Sequence, residues 1–179
     1  MKQYIGTKRI NAGPMTRQAY NDFRGWKLPD DENGADEGYL VEYVNGGPAN
    51  TSAYAGYVSW SPKEVFDQAY RATDALTFGE ALEALKAGCK VARRGWNGKG
   101  MWIVMMPGMN LPPHSAQDTE RKVNDRTAKF IGEDTPLETL PYIAMWTVNS
   151  KGRKAWLPGW LASQTDMLSD DWEVVEGSN

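Results

Sequence analysis

Cysteine and histidine are almost missing from this chain, and that alone removes several kinds of chemistry. Cys89 is the single cysteine and His114 the single histidine among 179 residues. One thiol cannot close an intrachain disulfide, which fits a reducing compartment. One thiol and one imidazole also fall short of a zinc ligand set, so no metal is expected. Long apolar runs are missing too: nothing approaches the roughly 18 residues of a membrane span. The opening MKQYIGTKRINAGPMTRQAY holds no apolar stretch of the signal-peptide kind. The expectation is an intracellular protein with no membrane partner. An excess of positive charge is absent as well. Lys and Arg number 20 against 23 Asp and Glu, for a net charge of −3. Proteins that follow a long phosphate backbone carry a basic face, so long nucleic acid is disfavoured. A small phosphorylated molecule needs only a few cations, which an acidic protein can supply.

The assembled signatures of catalysis are missing in turn. There is no GxSxG, no phosphate-binding P-loop and no GxGxxG. No nucleophile stands with a base and an orienting group in a recognisable pattern. The chain is therefore expected not to be an enzyme and to hold no resident cofactor.

What is present is tryptophan, glycine and well-signalled helix starts. The pattern predicts an α+β protein in two modules. Residues 1–75 form a small α+β N-terminal unit with no assignable role. Residues 76–179 form a domain with a small antiparallel sheet and short helices. In the first, YIGTKRI (4–10), YLVEYV (39–44) and YVSW (57–60) read as strands, and Thr16 opens a helix carrying Tyr20 and Phe23. SPKEVFDQAY (61–70) reads as a helix capped by Ser61, with Pro62 in its first turn and Glu64 completing a capping box. In the second, Thr77 and Glu80 make a capping box before a helix whose face bears Phe78, Ala81, Leu82 and Leu85, and Gly88 stops it. KVAR (90–93), MWIVMM (101–106), YIAMWTV (142–148), RKAWLPG (153–159) and WEVVE (172–176) read as strands, with NSKG as a hairpin turn. SQTDMLSDD (163–171) reads as a short helix. The long connection 107–141, with a charged middle, stands outside this compact pattern.

Two stretches carry the chemistry. RRGWNGKG (93–100) combines a flat indole on Trp96, the Asn97 amide, the cations Arg93, Arg94 and Lys99, and glycines that expose backbone N–H groups. Those parts suit a nucleotide: a base stacks on Trp96 and phosphates meet the cations. The structural alternative is a glycine hairpin with Trp96 in the core and Arg93 paired on the surface with a carboxylate such as Asp166. WLASQTDMLSDDW (160–172) places Trp160 before a helix start that can hold an anion, although Asp166 also serves as return partner of the Ser163 cap. Trp172, which opens a strand, is expected in the core. Eight tryptophans exceed what so small a core can take, so some are expected at a pocket or subunit interface.

TFGEALEALKAGCKVARRGWNGKGMW, YIAMWT and WLASQTDMLSDDWEVV, in that order, resemble the second Thoeris anti-defence family of small phage proteins. The resemblance implies a sponge: a protein that binds and sequesters a cyclic ADP-ribose-type immune signal, such as glycocyclic ADP-ribose, without degrading it. It also implies that cyclic oligonucleotides of the CBASS defence are further candidate ligands, that the chain forms a homotetramer with pockets between protomers, and that it works in the cytoplasm of the infected host. By position it assigns ligand binding to Phe78, Arg93, Trp96, Asn97, Trp160, Ser163, Gln164, Thr165 and Asp166. Two rival readings remain: an enzyme that hydrolyses the same signal, and a Trp-rich phage adaptor that binds only protein.

Overall fold

The computed structural model describes residues 1–4, 6–98, 100–117 and 119–175. Lys99 of the glycine-rich stretch and Glu176 at the end of the last predicted strand lie outside them. The fold is α+β, and the chain divides into two compact units, residues 1–72 and 73–179.

The first unit is a three-stranded antiparallel sheet in the order β1 (Asn11–Pro14), β2 (Gly38–Tyr43), β3 (Tyr57–Pro62). Helix α1 (Arg17–Arg24) starts at Thr16, whose side chain accepts from Ala19 N, and ends at Gly25 with φ 67°. It delivers Tyr20 onto Leu40 and Val58, with Phe23, Tyr54 and Trp60 around them. Asn50 clamps the loop between β2 and β3 by exchanging hydrogen bonds of 2.8 and 2.9 Å with Val58.

Two expectations fail in this unit. Ile5 of YIGTKRI lies outside the described residues, and the described residues of that segment form no strand; pairing begins at Asn11, opposite Glu42. Apolar alternation stabilises a strand only when a partner and a core reward it, and Tyr4 is 86% exposed. The Ser61–Glu64 capping box does not form either. Ser61 stays in the β3 ladder opposite Tyr39, and helix α2 (Lys63–Ala69) begins after Pro62 with no side-chain cap. Sheet pairing outbid the local cap.

The second unit is built on a five-stranded antiparallel sheet. Its strands, in spatial order, are β10 (Trp172–Val175), β4 (Lys90–Arg93), β5 (Trp102–Met106), β8 (Tyr142–Val148) and β9 (Lys154–Pro158). Helix α3 (Phe78–Lys86) covers one face. Its Thr77–Glu80 capping box is complete, and Gly88 follows with φ 86°. Ala81 and Leu85 on the helix meet Val91, Ile103, Met145 and Trp172 from four strands, which makes the core. Trp172 is fully buried, as expected. Leu76, just before α3, exchanges backbone bonds of 2.7 and 3.1 Å with Trp172. Asn149 and Gly152 close the NSKG turn.

The 107–141 connection has structure of its own. Strands β6 (Met109–Leu111) and β7 (Leu137–Thr139) pair at its neck, and helix α4 (Asp125–Ile131) lies between them, capped by Asn124. Val123 and Ala128 are buried there, and His114 Nδ1 lies 3.0 Å from the Val123 carbonyl oxygen. The lone histidine belongs to this lobe.

Candidate functional site

Helix α5 (Gln164–Met167) is only four residues long, yet it ties the two sequence motifs together. Ser163 caps it: Asp166 N donates to Ser163 Oγ at 3.1 Å, while Ser163 N and Oγ donate to Asp166 Oδ2 at 2.9 and 2.6 Å. The second carboxylate oxygen reaches across about seventy residues of sequence. Arg93 Nη1 donates to Asp166 Oδ1 at 2.8 Å, and Trp96 Nε1 donates to the same oxygen at 3.0 Å. Arg93 also grips Asp171, with Nε to Oδ1 at 2.7 Å and Nη2 to Oδ2 at 3.4 Å. Gly95 N donates to Asp171 Oδ2 at 2.8 Å, which fixes the turn after β4. A Cβ at Gly95 would stand 2.7 Å from that oxygen. Glycine is needed here because the network runs through the space a side chain would fill.

The network is internal. The side chains of Arg93 and Asp166 are 10% and 12% exposed. Desolvation pushes the Asp166 carboxyl upward, but bonds from Ser163, Trp96 and Arg93 outweigh it and hold the group far below the ordinary carboxylate range. Asp171 is lowered chiefly by Arg93, against desolvation and with help from Gly95 N–H. Arg93 is raised, led by its bond to Asp171. One guanidinium faces two carboxylates, so the cluster keeps one net negative charge.

Around it stands an aromatic cluster. The Trp96 ring meets Trp160 and Trp172 edge-on at 5.9 and 5.4 Å, and Phe78 lies 5.4 Å from Trp172. Trp172 Nε1 donates to the Asp166 carbonyl at 2.9 Å.

The structure thus brings Phe78, Arg93, Trp96, Trp160, Ser163 and Asp166 into one assembly. It leaves Asn97, Gln164 and Thr165 exposed at its surface, with Ser163 between the two sets. Arg93 does pair with Asp166, but inside the protein rather than on its surface, and its fork is spent on carboxylates. Arg94 is exposed, and its side chain forms no ion pair among the described residues. The start of α5 is occupied by the protein's own Asp166 carboxylate, which takes the place an external anion would need. Trp96 is half-buried: its ring packs against the core cluster, as the structural alternative expects, and its indole N–H is taken by Asp166. Asp171 escaped the sequence reading. Its signal was the register: a strand from Trp172 pairing antiparallel with KVAR puts Trp172 opposite Arg93, so the carboxylate before it must sit beside the arginine.

Among the described residues, no group of three His, Cys, Asp or Glu is placed to hold a metal ion. No helix among them is long and apolar enough to cross a membrane.

Residues 76–175 match the family profile described as the Thoeris anti-defense 2-like domain (Tad2-like). The chain is also similar to Thoeris anti-defense 2 of Bacillus phage SP01, with 32% identity over 100 residues, 56% of this chain and 94% of that protein. The profile takes in every residue of the network and of the aromatic cluster.

Proposed function

The chain belongs to the Thoeris anti-defense 2-like family and has its phage anti-defence role, and from that premise we propose that it acts by sequestering a cyclic ADP-ribose-type immune signal without turning it over. The observation that carries the reading is the convergence of two distant motifs through Asp166. Asn97, Ser163, Gln164 and Thr165 are exposed in the two segments that Asp166 joins, and the same segments carry the half-buried Trp96 and Trp160. Amide and hydroxyl groups next to indole rings suit a base and ribose. Stacking on an aromatic ring contributes about 1–3 kcal/mol, and a nanomolar sponge needs roughly −12 kcal/mol in all. The rest must come from hydrogen bonds in an enclosed pocket.

Enclosure calls for a second copy. Leu161 and Leu168, on either side of the exposed polar residues, are 88% and 85% exposed, and Met167 is 46% exposed. Apolar side chains this bare are covered when protomers meet. We place the ligand between protomers of a homotetramer in the host cytoplasm, with Arg94 rather than Arg93 offering its charge to the phosphates. Arg93 positions the loop. Sequestration is supported over hydrolysis by the state of the two carboxylates nearest this surface: Asp166 and Asp171 are held below the ordinary carboxylate range by their hydrogen bonds, which makes each a weak general base. Cyclic oligonucleotides are a second ligand class for the same protein.

Calorimetry with cyclic ADP-ribose isomers tests the reading. Asn97→Ala, Gln164→Ala and Arg94→Ala should each weaken binding about tenfold, or about 1.4 kcal/mol, and leave the unfolding midpoint unchanged. Normal binding by all three would remove this surface from the site. Light scattering should report a tetramer.

A further inference from the structure

We propose that a cleft on the first unit, beside β1, binds a cationic group on an aliphatic stem: an alkylammonium or alkylguanidinium whose charge is met by Glu42. The cleft measures about 380 Å³ and is bounded by Asn11, Gly13, Met15, Leu40, Glu42 and Tyr54. That is the low end for a ligand pocket, the size of one long side chain or a small amine.

Glu42 is the only charged residue in this lining, and it is 8% exposed. A shielded carboxylate is normally paired with a cation or neutralised. Glu42 has no ion-pair partner among the described residues. Only neutral donors meet it: Asn11 Nδ2 at 2.9 Å, Gly56 N at 3.0 Å and the Ala55 backbone N–H. A carboxylate has about four acceptor sites, so the group keeps room for a guest donor. The Asn11 amide, then the Gly56 N–H, hold the group below its ordinary value against desolvation. The carboxylate is kept charged and left without a counter-charge.

The rest of the cleft fits a basic stem. Leu40, Met15 and Tyr54 line the cleft with apolar atoms against which methylenes can pack. Above β1 the space is open: a Cβ placed on Gly13 meets nothing within 4 Å. None of these residues lies in the stretch 76–175 that matches the anti-defence family.

The test uses the full-length protein and calorimetry with agmatine, n-butylamine and an end-blocked Gly-Arg-Gly peptide, with n-butanol as the uncharged control. The cationic probes should bind at millimolar concentration or better and n-butanol should not. Glu42→Gln should lower the affinity at least about tenfold, the loss expected from a charge-assisted bond. Since that change also disturbs the Asn11 and Gly56 contacts, Gly13→Leu provides the second arm. It puts a branched side chain into the cleft from β1, where a Cβ meets nothing within 4 Å, and leaves the Glu42 carboxylate in the protein; it should abolish binding in a folded protein. A peptide that binds more tightly than agmatine assigns the site to a protein partner's basic side chain, and the reverse order assigns it to a free amine. Absence of binding by every cationic probe overturns the proposal, and so does undiminished binding by Gly13→Leu.

Discussion

Two shielded carboxylates, one in each unit, are treated in opposite ways. Asp166 in the second unit is 8% exposed and accepts from a guanidinium, an indole, a hydroxyl and an amide. Glu42 in the first unit is equally shielded and accepts from an amide side chain and from backbone N–H groups, with no cation among its partners in the described residues. The difference teaches what each charge is for. A buried anion with a buried cation is a structural bolt, and removing one partner strands the other. A buried anion facing open space with no cation is a receptor for one.

The largest effect should come from cutting the bolt. Asp166→Ala leaves Arg93 beside a single carboxylate, removes the return half of the α5 capping box and frees the Trp96 N–H. It should destabilise the second unit by about 3–5 kcal/mol, read from denaturant midpoints. A loss below about 1 kcal/mol would mean the pair behaves as an exposed surface bridge, and the contrast with Glu42 would collapse.

Acid should loosen the same bolt by degrees. Asp166 and Asp171 have folded values below their unfolded ones. Their contribution is therefore complete above about pH 4 and is lost as pH falls through the lowered folded values. Stability measured from neutral pH downward should fall in that window, and the Asp166→Asn, Asp171→Asn double variant should flatten the fall. An equal acid slope in wild type and double variant would contradict the assignment.

Asp171→Asn alone is milder, since Arg93 keeps Asp166. It should cost about 1.5–3 kcal/mol, the range for a hydrogen bond to a charged group. Because one amide oxygen is left to serve both Arg93 and Gly95 N, it should loosen the turn after β4 and weaken signal binding more than Asn97→Ala does.

Caps give the smallest effect and the sharpest internal control. Ser163→Ala should cost about 1 kcal/mol. Ser61→Ala, at a position that looks the same in sequence, should stay within about 0.5 kcal/mol, because its hydroxyl only meets the Pro62 carbonyl at 3.4 Å. Equal losses would show that Ser61 caps α2 in solution.

The two serines also show what was legible in the sequence. The two ends of a capping box are three positions apart, so Thr77–Glu80 and Ser163–Asp166 could be read from local spacing. Ser61–Glu64 failed because Tyr39, 22 positions earlier, claims Ser61 for the ladder, and local spacing says nothing about that. YIGTKRI failed because alternation does not reveal the absence of a partner strand. The core face of α3 and the burial of Trp172 were legible through periodicity. The pairing of Arg93 with Asp171, 78 residues away, required the strand register. Nothing local marks Glu42 as unpaired, since YLVEYV reads as an ordinary strand; only the open space over Gly13 shows the cleft.

The central claim is that the second unit holds a cyclic ADP-ribose-type signal and gives it back unchanged. Incubating the full-length protein with each cyclic ADP-ribose isomer, removing unbound material, denaturing by heat and identifying the released small molecule by mass and chromatographic position tests it directly. The account predicts that one isomer is retained and recovered intact, in an amount proportional to the protein. Recovery of a hydrolysed product, or retention of no isomer at all, would contradict it.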